Sequence, residues 1–287
     1  RGGAEPAGRQ PVEAPHGVVA VLREDEEGRR VARRSLGRHS QRTKFNHRAS
    51  CTMNAAILLA AGSGKRMLDS VPDKILLEVA GSTLFARSLL AFREAAVAEL
   101  WIVTFRDDQQ RDQLACETRK IASDGIEVVL EKGGEERRHS VRNALARIPA
   151  EAEIIFVHDC ARPMIRPESL TKLLTETRQC GGAALAHPVQ DTLKRVRDEG
   201  NSLPLTEKTV ERENLWAVET PQVFRNELLR EGVDRAFAEN RSMTDETSAV
   251  ELLGQPVTLV DPGYPNPKIT TLEDLSYVEF LLNGKMT

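Results

Sequence analysis

Ala55-Ala56-Ile57-Leu58-Leu59-Ala60-Ala61-Gly62-Ser63-Gly64-Lys65-Arg66-Met67 is the stretch on which the fold turns. Its first five residues form an unbroken apolar run of strand length, the pattern of a strand buried on both faces. The run empties into Ala60, Ala61, Gly62 and Gly64, and Lys74 follows a little further on. Small residues after a strand let backbone N–H groups approach phosphate oxygens with no Cβ in the way. Arg66 and Lys74 could then neutralise a triphosphate. Two familiar loops are excluded. A P-loop needs four residues between its glycines and Ser or Thr after the Lys, but here Arg66 follows Lys65. A dinucleotide loop needs a third Gly where Met67 stands. The plain alternative is an ordinary strand-to-helix turn, against which Arg66 and Lys74 weigh.

Working outward, strand and helix patterns alternate. Leu100–Phe105, Ile126–Leu130, Ile154–His158, Ala183–Pro188 and Val257–Val260 read as strands. Helical spacing follows Gly81 through Phe85, Leu89, Phe92 and Ala96. It recurs from Asp107 to about Ala122, over Ser140–Ile148, over Asn226–Glu239 and over Asp245–Leu253. Pro167 suits a helix start, and Gly181-Gly182 stop that helix. A last helix begins near Thr270, where Thr270 and Glu273 have capping-box spacing, and runs to Leu282. From Asp191 to Trp216 the alternation is irregular, with antiparallel pieces expected. The pattern predicts an α/β fold with a mostly parallel, Rossmann-like sheet covered by helices on both faces. Ligands then bind outside the carboxyl ends of the strands, so the residues after Leu59 and Val157 matter most.

Three further motifs carry chemistry. Lys132-Gly133-Gly134-Glu135-Glu136-Arg137-Arg138-His139-Ser140 combines a glycine loop, basic residues and a hydroxyl at a helix start. Ser140 could bond a nucleoside or serve as a helix N-cap. In His158-Asp159-Cys160-Ala161-Arg162-Pro163, Asp159 ends a buried strand and offers hard oxygen suited to Mg²⁺. Arg162 could answer a phosphate or pair with Asp159, and His158 is equally readable as packed or reactive. Lys268 sits just before a helix start, where an anion is welcome. The spacing offers no Ser or Cys nucleophile and no zinc site.

Composition sets the bounds. The chain has 287 residues, 40% of them hydrophobic and 4% aromatic, so the core must be largely aliphatic. Net charge is −3, which gives no argument for nucleic-acid binding. Residues 1–52 hold 11 Lys/Arg and 6 Asp/Glu, a net of +5, and lack apolar periodicity. They are expected to form a disordered basic tail, or to reflect a mis-set start with Met53 as the true one, ahead of a domain over 53–287. Cys51, Cys116, Cys160 and Cys180 suggest no pairing and read as reduced thiols. No apolar stretch approaches the roughly 20 residues of a membrane span, and a cytoplasmic location is expected.

These motifs stand in an order and spacing that resembles the 2-C-methyl-D-erythritol 4-phosphate cytidylyltransferases of the non-mevalonate isoprenoid pathway. The likeness covers roughly residues 54–283. Its matching stretches are Leu59–Met67, Gly134 to Val141, His158-Asp159 with Ala161-Arg162-Pro163, and Pro188-Val189-x-Asp191-Thr192-Leu193-Lys194. Arg212-x-x-Leu215-Trp216, Thr220-Pro221-Gln222-x-Phe224, Thr244-Asp245-Glu246 and Lys268-Ile269-Thr270 complete it. The resemblance implies a nucleotide-diphospho-sugar-transferase fold with a seven-stranded core. It also implies a β-arm over about residues 190–217 that clasps a second copy into a homodimer. CTP and a sugar-alcohol phosphate would be the substrates, with Mg²⁺ as cofactor and no nucleic-acid or membrane partner.

Residue by residue, the resemblance makes Arg66, Lys74 and Lys268 the catalytic cations. Ala60, Ala61, Gly62, Gly64, Gly134, Ser140 and Asp159 would bind the nucleotide, with Asp159 also holding Mg²⁺. Arg162, Thr192, Arg212 and Thr244 would receive the acceptor, Arg212 reaching across the dimer. Glu219 stands where the family more usually has Gln, and Pro265-Asn266-Pro267 is stiffer than the usual loop before the lysine. A ribitol 5-phosphate cytidylyltransferase and a non-catalytic nucleotide-binding protein on the same fold are the alternatives.

Overall fold

A computed structural model describes residues 53–62, 73–197 and 203–284. The expectations for residues 1–52, and for Gly64 and Arg66, lie outside the described residues.

The chain alternates much as its periodicity predicts. Strand β1 (Ala55–Leu59) is followed, from Lys74, by a single 3₁₀ turn at Lys74–Leu76. A small hairpin of β2 (Glu78–Val79) and β3 (Ser82–Thr83) leads into α1 (Leu84–Ala95). Then come β4 (Leu100–Phe105), α2 (Asp108–Ile121), β5 (Glu127–Lys132), α3 (Arg137–Leu145), β6 (Ile154–Asp159), α4 (Pro167–Cys180) and β7 (Gly182–Pro188). The second part holds β8 (Leu193–Arg197), β9 (Leu205–Val210), β10 (Trp216–Arg225), α5 (Asn226–Ala238), α6 (Glu246–Glu251), β11 (Thr258–Val260) and α7 (Leu272–Leu282).

Seven strands form one sheet in the order β11-β7-β10-β6-β1-β4-β5. β1 pairs in parallel with both β4 and β6, and its residues are almost wholly enclosed. Side chains of a strand alternate between faces, and the core divides accordingly. Ala56 and Leu58 join Trp101, Phe156 and Phe92 under α1, α2 and α4. Ala55 and Ile57 join Ile102, Val157, Leu145 and Val233 under α3, α5 and α6. Burial of both faces explains why these strands read as continuous apolar runs.

The sheet departs from the sequence reading in one strand. Antiparallel pieces before Trp216 are present as the ribbon β8–β9. In addition, β10 inserts antiparallel between β6 and β7, in the middle of the sheet. Pro221 argues against a central strand, since proline cannot donate to a ladder. The structure accommodates it with a register shift between Val218 and Gln222.

Helix ends are set by local chemistry. Gly181 closes α4 at φ 89°, a left-handed conformation that glycine adopts without a Cβ penalty. The capping box of α7 lies one residue later than the spacing suggested, with Thr271 and Asp274 in place of Thr270 and Glu273. Ser140 is not an N-cap, because α3 already begins at Arg137. Among the described residues no helix is long and apolar enough to cross a membrane. Cys116 and Cys180 are exposed free thiols and Cys160 is a buried one.

Candidate active site

Parallel pairing aligns Leu59 with Thr104 on one side and with Asp159 on the other. Chain leaving β1, β4, β5 and β6 therefore meets at one edge of the sheet. The buried Thr104 hydroxyl accepts the Ala60 amide at 3.1 Å and the Ala61 amide at 3.4 Å. Gly133 runs alongside. A Cβ there would sit 2.5 Å from Ala61 Cβ and 2.9 Å from Ser140 Oγ, so only glycine lets the two loops approach this closely. The Ser140 hydroxyl accepts the Gly134 amide at 3.0 Å, which gives it a loop-bracing role from within the first turns of α3. Gly62 has open space where a Cβ would stand.

Asp159, at the end of β6, sits between two cations. Arg137 Nε is 3.1 Å from Oδ1 and Lys268 Nζ is 2.5 Å from Oδ2. Burial alone would push the carboxyl up, but Arg137 and Lys268 outweigh it and hold Asp159 well below the usual carboxylate range. Arg137 turns its other two nitrogens to the fully buried Glu246, at 2.5 and 2.8 Å. Burial works against the guanidinium charge, yet Glu246 and Asp159 together raise its pKa further. The result is an alternating chain of charges, Glu246, Arg137, Asp159, Lys268, running from core to cleft.

Lys74 donates to the Ile269 carbonyl at 2.7 Å, so two cations far apart in sequence reach one segment. That segment is laced down. Ile269 donates to the Ala161 carbonyl at 2.9 Å, and Arg162 Nη1 to the Asn266 carbonyl at 2.7 Å. Asn266 Nδ2 donates to Glu219 Oε2 at 2.8 Å and to the Thr220 carbonyl at 3.1 Å. Glu219 also meets His187 Nδ1 at 2.9 Å. The two prolines around Asn266 are thus part of a fixed mount for Lys268. Arg162 belongs to that mount and makes no ion pair with Asp159.

His158 is a packed residue. Burial depresses its pKa to about 3 against the pull of Asp159, so the ring is neutral, spanning Ser88 and Thr220 at 3.3 Å each. Thr220 also accepts the Asp159 amide at 3.0 Å. Thr192 and Arg212 lie apart from this cluster, exposed at the foot of the β8–β9 ribbon, where Arg212 Nη1 donates to the Gln190 carbonyl. Thr244 is exposed just ahead of Asp245, the N-cap of α6. Among the described residues no hydrogen bond or ion pair joins these three to Asp159.

Arg137 and Glu246 went unassigned by sequence reasoning, although both stand inside quoted motifs. Glu246 reads as an acidic residue in a helix's first turn, and nothing local reveals its partner 109 positions away. No group of three or more His, Cys, Asp or Glu side chains suited to a metal occurs among the described residues. A Mg²⁺ here would have Asp159 as its protein oxygen and take the rest from phosphates and water, which is ordinary for that ion. The ionised carboxylate at the cleft fits it.

The family model of 2-C-methyl-D-erythritol 4-phosphate cytidylyltransferase matches residues 54–284. The chain belongs to this family. A cytidylyltransferase of that name from Geobacillus kaustophilus is 39% identical over 235 residues, covering 80% of this chain and 97% of the relative. One from Shouchella clausii is 41% identical over 233 residues, with the same two coverages. The crystal structure of the cytidylyltransferase from Thermus thermophilus superposes with a TM-score of 0.63 at 30% identity, over 80% of this chain and 100% of that one. The seven-stranded fold expected from the resemblance is therefore present.

Proposed function

We propose that this chain carries out the reaction its family is named for, transferring CMP from CTP to 2-C-methyl-D-erythritol 4-phosphate and releasing pyrophosphate. The observation that carries the reading is the meeting of Lys74, Lys268 and Asp159 beside the small-residue turn at Ala60–Gly62, all at the carboxyl edge of the sheet. The proposed step is attack by an acceptor phosphate oxygen on the α-phosphorus of CTP. One P–O bond forms, the bond to the bridging oxygen breaks, and pyrophosphate leaves with that electron pair. The attacking phosphate is already ionised, so no general base is needed, in keeping with a neutral, enclosed His158.

Charge repulsion between two anions is the main obstacle, and fixed cations are the remedy. Lys74, Lys268 and Arg66 are assigned to the phosphates of CTP. The turn at Ala60, Ala61, Gly62 and Gly64, and the loop at Gly134 and Ser140, are assigned to the nucleotide; the Ala60 and Ala61 amides donate to Thr104 and hold the turn in place. Arg162, Thr192, Arg212 and Thr244 are assigned to the acceptor. Asp159 would hold Mg²⁺, which when bound supplies further neutralisation of phosphate charge. Arg137 keeps Asp159 ionised and aimed.

A homodimer through the ribbon belongs to the same proposal. Leu193, Val196 and Leu205 are exposed on β8 and β9, and Trp216 and Val218 are exposed near the start of β10. A lone two-stranded ribbon is marginal in water, and apolar side chains along it favour a docked second copy.

The test is to incubate purified protein with CTP, Mg²⁺ and either 2-C-methyl-D-erythritol 4-phosphate or ribitol 5-phosphate, and to measure pyrophosphate. Turnover is expected with the former. Activity confined to ribitol 5-phosphate would reassign the acceptor, and CTP binding without turnover on either would overturn the enzymatic reading.

A further inference from the structure

The two ends of the segment running from Ala60 to Lys74 are joined through one side chain that belongs to neither. Gln110 lies in the first turn of α2 and is fully buried. Its Nε2 donates to the Ala60 carbonyl at 3.1 Å and to Asp73 Oδ2 at 2.6 Å. Its Oε1 accepts the Arg106 amide at 2.6 Å. A side-chain amide has two N–H donors and one carbonyl, and here each is used. Asp73 in turn accepts the Ile75 amide and caps the short turn that carries Lys74. Arg106 adds an outer brace, reaching Asp73 at 3.4 Å and the Gly62 carbonyl at 3.5 Å.

An apolar side chain would fill this buried position without a desolvation penalty. A fully satisfied polar group instead specifies geometry, because each of its partners must sit in one place. The partners are the turn that follows β1 and the residue next to Lys74, whose ammonium reaches the Ile269 carbonyl. Burial outweighs the pull of Gln110 and Arg106 and holds the Asp73 carboxyl above its ordinary value.

We propose that Gln110 is a positioning residue for cytidylyl transfer, fixing the spacing between the Ala60–Gly62 turn and Lys74. It rests on the reading that these groups bind CTP. Gln110 itself touches no reacting atom.

The test uses Gln110→Glu, which preserves shape and the acceptor for Arg106 but removes both donors and sets a carboxylate against Asp73. Steady-state rates are measured with each substrate varied, on protein shown to be folded by circular dichroism. A drop in kcat/KM for CTP of about tenfold or more is expected, since small misplacements of reacting groups are costly. KM for the acceptor should stay within about twofold, because Thr192, Arg212 and Thr244 lie on other elements. Adding Asp73→Asn lets a new amide at position 73 donate to the new carboxylate at 110. It should restore at least about threefold of the lost efficiency, as expected for contacting pairs.

Wild-type kinetics in Gln110→Glu would overturn the proposal, as would an equal loss toward both substrates with no recovery in the double variant. If Gln110→Glu does not fold, Asp73→Ala decides on the same terms. Lys74→Ala separates the two levels. Full activity there sinks the CTP reading and the proposal with it, whereas loss there beside an unaffected Gln110→Glu overturns the positioning role alone.

Discussion

Lys268 Nζ lies 2.5 Å from Asp159 Oδ2, although 109 residues separate them. Two opposite charges at this distance, with the carboxylate nearly enclosed, compensate one another in the free protein. On the proposed reading, an arriving nucleotide would give the lysine a second partner and free the carboxylate for a cation. Asp159→Ala and Lys268→Ala should each lower turnover by about 10²-fold or more, the usual effect of removing one fixed electrostatic contact. Pyrophosphate release under saturating CTP checks this, and near-normal rates in either variant would remove that residue from the site.

Behind Asp159, Glu246 anchors Arg137 through two hydrogen bonds and is itself wholly buried. Deleting Glu246 takes the partners from two of the three Arg137 nitrogens and leaves Asp159 to balance the guanidinium. Glu246→Ala is expected to destabilise the fold by about 3–5 kcal/mol. Urea unfolding followed by circular dichroism measures it, and a change below about 1 kcal/mol, the range of an exposed ion pair, would contradict the pairing.

Much of the fold was legible because burial on both faces leaves an unmistakable mark. Ala55–Leu59 is apolar throughout, Leu100–Phe105 but for Thr104 and Ile154–His158 but for its last residue, and each lies within a central strand. The residues after Leu59 and Val157 were legible for the same reason, since strand ends locate the cleft. What escaped reading are pairings made only by folding. Gln110 sits in a stretch, Asp107 to Ala122, that looks like an ordinary polar helix, and nothing in its neighbours tells that its amide is buried. Glu246 and Arg137 meet across 109 residues. Pro221 disguised a central strand by obeying a rule that a register shift suspends. Ser140 resembled a helix cap until the helix proved to start before it.

Gly133 and Gly62 should respond differently to alanine. At Gly133 the new methyl would lie 2.5 Å from Ala61 Cβ and 2.9 Å from Ser140 Oγ, so the two loops must part. Overpacking of this kind costs about 1–3 kcal/mol, and a raised KM for CTP should accompany it. At Gly62 the same methyl meets nothing within 4 Å, so Gly62→Ala should leave stability unchanged. Thermal unfolding of both variants decides the matter, and equal melting temperatures would show the loops are not in contact.

The capping box of α7 makes a pH-dependent prediction. Burial alone would raise the Asp274 carboxyl, but the Thr270 hydroxyl and the amides of Thr270 and Thr271 outweigh it and hold it below its ordinary 3.8. A depressed folded-state pKa contributes stability that is present above the unfolded value and is lost as pH falls through the folded one. Asp274→Ala should therefore destabilise by about 1 kcal/mol near pH 7. The gap from the parent should close as pH drops below the ordinary value. A gap that widened in acid would reverse the assignment.

The β8–β9 ribbon supplies the remaining prediction. Val196 and Leu205 are 47% and 53% exposed and lie on adjoining strands of the ribbon. Neither contributes to a core, so replacing them should change monomer stability by no more than about 0.5 kcal/mol. If two ribbons clasp, glutamate at both positions sets like charges face to face in the interface, and such juxtaposition opposes association. Val196→Glu with Leu205→Glu is then expected to halve the mass seen by light scattering and to lower turnover in step, since Arg212 stands at the foot of the same ribbon. Unchanged mass and unchanged rate in the double variant would mean that this ribbon neither joins two copies nor helps complete the acceptor site.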